Sequence, residues 1–174
     1  LSPAEKGTAN HLFLQFASYE ACTTPEGVES EVSRLVQGAF LSPEQGDAVQ
    51  RGQILQLFAS PLGQRILKCP QAVREMKFSL LVDGEFYDLR AAGEQIMLQG
   101  VVDCLLVEPE GLTVIDFKTD RIEPGREAER ASMYAGQLNA YAMAMERIYG
   151  KPVRQRLLYF FSTGQTVEPP PTEL

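Results

Sequence analysis

The chain of 174 residues is 44% hydrophobic and 22% charged, which is typical of a globular protein and excludes a disordered or fibrous chain. Its formal net charge of −7 argues against a protein that binds nucleic acid through surface charge alone, because neutralisation of phosphates normally drives such binding. A nucleic-acid-binding function would need a metal ion, a local basic patch or a partner.

The segment from about residue 3 to residue 69 is predicted to be helical. Apolar residues recur at helical spacing, as at Leu12, Phe13 and Phe16. Three Ser/Thr-Pro pairs, at residues 24–25, 42–43 and 60–61, predict helix starts, because proline is favoured at the first helical position.

The rest of the chain alternates between strand and helix patterns. From about residue 73 the apolar period is two, which predicts a strand that ends near Asp83, and two more strands follow over roughly 94–107 and 112–119. Apolar spacing from Tyr134 to Ile148 predicts a long helix that Gly150 ends, before a last strand over 153–161. This order predicts an α/β or α+β fold with a mixed sheet.

Cysteine usage and hydropathy bear on the compartment. Cys22, Cys69 and Cys104 show no C-x-x-C spacing and leave one over, so neither a disulfide framework nor a cysteine metal site is indicated. No apolar stretch approaches the ~20 residues needed to cross a bilayer, and the first residues do not resemble a signal peptide. A cytoplasmic protein without a membrane partner is therefore expected.

The segment TVIDFKTD, residues 113–120, sets two charges into an apolar, β-branched run. Asp116 and Lys118 are two positions apart, so they are expected on the same face of one strand. A purely structural strand would carry Val or Ile at such positions. The charged residues Asp116 and Lys118 therefore indicate a functional site.

The segment VEPEGL, residues 107–112, predicts how this strand pairs with the preceding one. Pro109 and Gly111 occupy positions that suit a type I turn between antiparallel strands. Pairing Val107 with Leu112 sets the register and places Asp103 directly opposite Asp116.

Two opposed carboxylates in apolar surroundings need a cation between them. Directly opposite residues have Cβ atoms about 4.5–5.5 Å apart, and like charges at this distance are destabilising. A divalent ion that prefers oxygen ligands would neutralise the two negative charges. Mg²⁺ is usual where few carboxylates share the ion with waters and a phosphate. Lys118 could then hold or deprotonate an attacking water. A surface hairpin in which Lys118 neutralises one aspartate remains the alternative.

The segment GVVDCLLVEPEGLTVIDFKTD, residues 100–120, resembles the G-x-x-D … D-x-K core of the PD-(D/E)xK nucleases. It is most similar to the C-terminal nuclease domains of helicase-nucleases of the AddA and RecB type. GTANH (7–11), VREMKF (73–78) and GQLNAY (136–141) extend the likeness in the same order. The resemblance implies a restriction-endonuclease-like α/β fold, with a mixed central sheet flanked by helices and an N-terminal helical segment.

The resemblance also implies a metal-dependent nuclease site. It makes Mg²⁺ the cofactor, with Mn²⁺ able to substitute, and Lys118 the catalytic lysine. The family usually has tyrosine at the position of Phe117. The implied ligand there is the main-chain carbonyl, which does not depend on the side chain. The metal ligands implied are His11, Asp103, Asp116 and the main-chain carbonyl of Phe117.

Three further residues are assigned to the catalytic site by the same resemblance. Glu75 matches an acidic position of the family, although Lys77 stands where proline is frequent. Gln137 and Tyr141 lie one helical turn apart and share a face, which in the family supports the site or the DNA. The alternative for this pair is a core Tyr141 and a solvated Gln137.

As a whole, the chain is expected to be a single nuclease domain excised from a larger protein. Its predicted parts are a helical segment over about 3–69, a catalytic core over about 73–161 and a flexible tail over 165–174. No G-x-x-x-x-G-K phosphate loop occurs in these residues, so an ATP-driven motor is not part of them.

The expected partners are DNA and the second subunit of a helicase-nuclease complex. The expected role is exonuclease processing of DNA ends in double-strand-break repair and recombination. A nuclease-like domain that binds DNA or a partner protein without cutting is the alternative.

Overall fold

The computed structural model describes residues 1–171, so the last three residues of the predicted tail lie outside the described part. The chain forms two compact units. The first unit contains residues 1–70, 117–124 and 159–166. The second unit contains residues 71–116, 125–158 and the segment from Val167 onward.

The first unit is mainly helical, as predicted for its N-terminal segment. Thr24, Ser42 and Ser60 each accept a hydrogen bond from a backbone N–H at the start of a helix, and a proline follows each of them. The predicted Ser/Thr-Pro helix starts are therefore confirmed. The helices are α1 (Pro3–Phe16), α2 (Pro25–Gln37), α3 (Pro43–Ala48), α4 (Arg51–Ala59) and α5 (Pro61–Lys68).

Five strands form one sheet in chain order: β1 (Ala72–Asp83), β2 (Gln95–Glu108), β3 (Gly111–Lys118), β4 (Val153–Phe160) and β5 (Gln165–Val167). The β1–β2 and β2–β3 pairs are antiparallel. Leu112 N–H donates to the Pro152 oxygen and Phe161 N–H donates to the Lys118 oxygen, so β3 and β4 advance together and are parallel. The sheet is therefore mixed, as predicted.

The pairing of β2 with β3 follows the predicted register. Val107 faces Leu112, and Glu108 faces Gly111 across the turn. Gly111 has a φ of 148°, and a Cβ at this residue would lie 2.5 Å from the Pro152 oxygen. Glycine is therefore required where β3 begins.

Two helices, α6 (Glu127–Met133) and α7 (Ala135–Tyr149), precede β4. The predicted long helix is α7, and Gly150 ends it in the left-handed conformation with its N–H bonded to the Glu146 oxygen. Helix α6 was not predicted from the sequence. The tail predicted from residue 165 is also wrong at its start, because Gln165–Val167 form β5. No helix within residues 1–171 is long and apolar enough to cross a membrane.

Candidate active site

Asp103 and Asp116 lie next to the last paired positions of β2 and β3. In the chain, Asp103 precedes Cys104 and Asp116 follows Ile115. The pairing ends at Cys104 and Ile115, and the two aspartates occupy the next position of the same register. Asp116 is 6% exposed and Asp103 is half-buried. Two carboxylates are thus brought to the point where the hydrogen-bonded ladder stops.

The negative charges of both carboxylates act on the Tyr141 hydroxyl. Burial raises the pKa of Tyr141, and the negative charges of Asp116 and Asp103 raise it further. Hydrogen bonds from the Val101 backbone and the Gln137 side chain oppose this rise in the Tyr141 pKa. The amide nitrogen of Gln137 is 3.2 Å from the hydroxyl oxygen. Gln137 and Tyr141 therefore share a helix face, and Tyr141 is a protonated phenol beside two carboxylates.

On β1, the backbone of Glu75 lies on the same register line as the backbones of the two aspartates. The pairs on both sides of Glu75 keep one register with β2, which puts Glu75 across from Asp103. The φ of Glu75 is 51°, in the left-handed region that a non-glycine residue rarely adopts. Such strain persists only where the surrounding structure imposes it, and it is frequent at functional sites.

Two residues of the second unit that the sequence reasoning did not assign to the site hold the Tyr141 ring. Phe78 packs edge-on against Tyr141, with ring centroids 5.5 Å apart and planes at 82°. A Cβ on Gly100 would lie 2.6 Å from Cε1 of Tyr141 and 2.8 Å from Cζ of Phe78. A glycine inside an apolar strand often marks such a close approach, so Gly100 was a detectable signal.

In the first unit, α1 places His11 against the main chain at the end of β3. Nε2 of His11 is 2.8 Å from the Phe117 oxygen, and Nδ1 is 3.2 Å from the Gly7 oxygen. A Cβ on Gly7 would lie 2.7 Å from Oγ1 of Thr119. Because Gly7 has no side chain, α1 can lie this close to Thr119, which follows β3. This contact explains the glycine of GTANH.

The His11 ring and the Phe117 carbonyl fit a divalent cation. Both ring nitrogens face carbonyl oxygens, yet a neutral imidazole has only one N–H to donate. A metal-binding histidine usually gives that hydrogen to a carbonyl such as that of Gly7, which leaves Nε2 as a ligand. The 2.8 Å between Nε2 and the Phe117 oxygen is also the length of an ordinary hydrogen bond, so the chemistry of the two donor atoms supports a cation and the distance does not.

Within residues 1–171, no group of three or more His, Cys, Asp or Glu side chains is close enough to hold a metal ion. Protein sites for Mg²⁺ commonly use one or two carboxylates together with waters and substrate phosphates. The candidate donors are the Asp103 and Asp116 carboxylates in the second unit and, separately, the His11 and Phe117 atoms in the first.

Lys118 is the last residue of β3 and is half-buried. Its main-chain oxygen accepts a hydrogen bond of 3.0 Å from Phe161 N–H, and the preceding Phe117 packs against the ring of Phe161. These contacts within the first unit fix the main chain from which the lysine side chain extends.

Comparisons with known proteins cover nearly the whole chain. The sequence model of a family described as the PD-(D/E)XK nuclease superfamily matches residues 1–173. Three similar curated proteins are each named as a subunit of an ATP-dependent helicase/nuclease. They come from Desulforamulus reducens (39% identity over 96% of this chain), Pelotomaculum thermopropionicum (39% over 94%) and Clostridium novyi (35% over 97%).

The chain spans only 13–14% of the length of those three proteins. The solved structure described as the crystal structure of SSO0001 is 18% identical, covers 94% of this chain and 67% of its own, and superposes with a TM-score of 0.41. This likeness carries no functional argument.

Proposed function

Because this chain belongs to the PD-(D/E)XK nuclease superfamily, we propose that it is the DNA-cleaving domain of a helicase-nuclease. The observation that carries the proposal is that Asp103 and Asp116 occupy one register position at the end of the β2–β3 ladder, where the charges of both act on the Tyr141 hydroxyl. Buried like charges are costly unless a bound cation offsets them, so this arrangement favours a site for a metal and a phosphate.

The proposed ligands of the metal are Asp103, Asp116, the main-chain oxygen of Phe117 and His11. Within residues 1–171 the three side chains do not form a group close enough for one ion, so the bound ion itself would draw them together. The ion is Mg²⁺, and Mn²⁺ substitutes for it. When bound, a divalent ion lowers the pKa of a coordinated water and polarises the phosphate that the water attacks. The presence of two donor atoms in one place, the His11 ring nitrogen and the Phe117 oxygen, supports the inclusion of His11.

The side chains of the chain have distinct roles in this proposal. Lys118 orients the attacking water and balances the negative charge that develops on the phosphate. Tyr141 stays protonated because its pKa is raised, so its hydroxyl can donate a hydrogen bond to an oxygen of the site. Gln137 supports the hydroxyl, and Glu75 adds a carboxylate across from Asp103.

The proposed partners are DNA and a second subunit, and the proposed role is exonuclease processing of DNA ends in double-strand-break repair and recombination. The curated relatives are named as subunits of a helicase/nuclease, which supports nuclease activity and a second subunit. A net charge of −7 gives the chain little attraction for a duplex, so the remainder of such an enzyme would have to deliver the DNA.

A cleavage assay on linear duplex and single-stranded DNA tests the proposal. The chain should cut in Mg²⁺ and stop when EDTA is added, and Asp116→Asn should be inactive. Glu110→Gln, which removes one carboxylate from the exposed β2–β3 turn, is the matched control and should cut normally. DNA binding without cleavage by the wild-type chain would favour the non-cleaving alternative.

A further inference from the structure

We infer that Phe78 is a positioning residue of the active site: packed into the space left by Gly100, it holds the Tyr141 ring so that the hydroxyl stays beside Asp103 and Asp116. The consequence for catalysis rests on the proposed nuclease function. The positioning itself is a property of the second unit, to which all five residues belong.

Phe78 and Tyr141 contact each other through their rings. Phe78 is 7% exposed and meets Tyr141 edge-to-face, the arrangement that aromatic pairs prefer. Phe78 lies on β1 and Tyr141 on α7, so this contact fixes the ring relative to the edge strand of the sheet. A leucine at position 78 would have no ring edge to offer.

Gly100 provides the space that the two rings occupy. Phe78 and Gly100 are paired across β1 and β2, and both rings lie within the volume that a side chain at position 100 would occupy. The rings therefore fill the surface of β2 in place of a side chain. No other residue type at position 100 leaves room for both rings.

The hydroxyl end of Tyr141 is held by hydrogen bonds. The residue after Gly100 is Val101, whose backbone forms a hydrogen bond to that hydroxyl. The ring is thus held along its edge by Phe78 and Gly100 and at its oxygen by Val101 and Gln137. Because the position of the ring decides where the oxygen lies, Phe78 controls the hydroxyl without touching the reacting groups.

A double-mutant cycle on the whole chain tests the catalytic consequence. Tyr141→Phe keeps the ring and removes the hydroxyl, and it should slow single-turnover cleavage by about 10²-fold, as misplaced groups do. Phe78→Leu should lower the rate constant by a comparable factor with little change in KM. The double variant should be no slower than Tyr141→Phe alone, whereas multiplicative losses would overturn the inference.

Val82→Ala is the control for a purely structural effect. Val82 is on the same strand and 3% exposed, so its truncation destabilises the second unit while both rings of the Phe78–Tyr141 pair stay in place. It should lower the melting temperature and leave the cleavage rate constant near wild type. A loss of rate equal to that of Phe78→Leu would show that stability alone explains both variants.

A measurement without DNA separates the inference from the proposed function. In amide-exchange NMR, Phe78→Leu and Gly100→Ala should both speed exchange of the Val101 amide hydrogen, as Tyr141→Phe should, while Val82→Ala should not. An unchanged Val101 amide in Phe78→Leu would overturn the positioning role. Absence of cleavage by the wild-type chain would instead refute the nuclease proposal. The exchange rate of the Val101 amide hydrogen would still show whether Phe78 positions the Tyr141 ring.

Discussion

His11 and Phe117 are 106 positions apart in the chain, and Nε2 of His11 lies 2.8 Å from the main-chain oxygen of Phe117. The contact joins α1 to the end of β3 within the first unit. Nδ1 of the same ring faces the Gly7 oxygen, so each ring nitrogen faces a main-chain carbonyl oxygen. An imidazole held in this way loses little conformational freedom when it binds an ion.

Replacement of His11 by alanine should weaken metal binding. We expect the Mg²⁺ concentration for half-maximal cleavage to rise about 10–100-fold, the usual effect of losing a group that orders a metal site. Mn²⁺ should support the variant better than Mg²⁺. Titration of both ions against the cleavage rate checks this, with Gln15→Ala on the same helix as the control. Unchanged metal dependence would make His11 a structural residue.

Asp116→Asn should abolish cleavage and leave the fold intact. One of two neighbouring carboxylates is neutralised, so the free energy of unfolding without metal should stay level or rise by up to about 1 kcal/mol. The pKa of Tyr141 should fall, since one of the charges that raise it is gone, although burial still raises it. Denaturant unfolding and a metal-dependent cleavage assay measure both effects, and near-normal activity in Mg²⁺ would exclude the proposed site.

Lys118→Ala should slow cleavage while metal binding persists. The substitution removes a contact made in the transition state and no ligand, so we expect a loss of about 10²–10⁴-fold in rate. Calorimetric titration with Mn²⁺ should give an affinity close to wild type. Lys77→Ala, at an exposed position of β1, is the control for loss of one positive charge. Weakened metal affinity at full turnover would show that the role assigned to Lys118 is wrong.

Glu75→Gly should separate backbone strain from the use of the carboxylate. Glycine adopts a φ of 51° without steric cost, so the variant should gain about 1 kcal/mol in free energy of unfolding while cleavage falls. Ala39→Gly is the matched control, because Ala39 has a φ of 60° at the exposed end of α2. It should gain stability and keep full activity. Full activity in Glu75→Gly would remove Glu75 from the site.

Tyr159→Phe should change how stability depends on alkaline pH. Burial raises the pKa of Tyr159 to about 12, whereas an unfolded tyrosine ionises near ~10. Between these values the unfolded state has lost a proton that the folded state keeps. The free energy of unfolding therefore falls as pH rises from about 10 to about 12, and the variant should lose this contribution. Urea unfolding at pH 8 and pH 11 gives the comparison.

The same variant should be at least as stable as wild type at neutral pH. The Tyr159 hydroxyl is buried and has no hydrogen-bond partner among residues 1–171. Its removal relieves a buried polar group, which is worth about 1 kcal/mol or more. A clear loss of stability at pH 8 would contradict this view of the hydroxyl.

The two elements that were not predicted from the sequence carry weak local signals. α6 begins after Arg126, which makes no side-chain cap, and it has only seven residues. β5 has three residues in a polar segment and exists because a neighbouring strand offers hydrogen bonds. By contrast, the helix starts at Thr24, Ser42 and Ser60 depend on adjacent residues, and these were predicted correctly.

The sequence by itself determined the register of β2 with β3 as far as Cys104 and Ile115, next to the two aspartates, and the turn that sets it. Turn preference, capping and apolar period act over a few residues, so they can be read from neighbours in the chain. Only the tertiary structure decided that His11 reaches the Phe117 carbonyl, that Glu75 takes a left-handed conformation, and that Tyr141 lies between Phe78 and Gly100. These contacts join residues far apart in sequence, and close packing of whole elements determines which atoms meet.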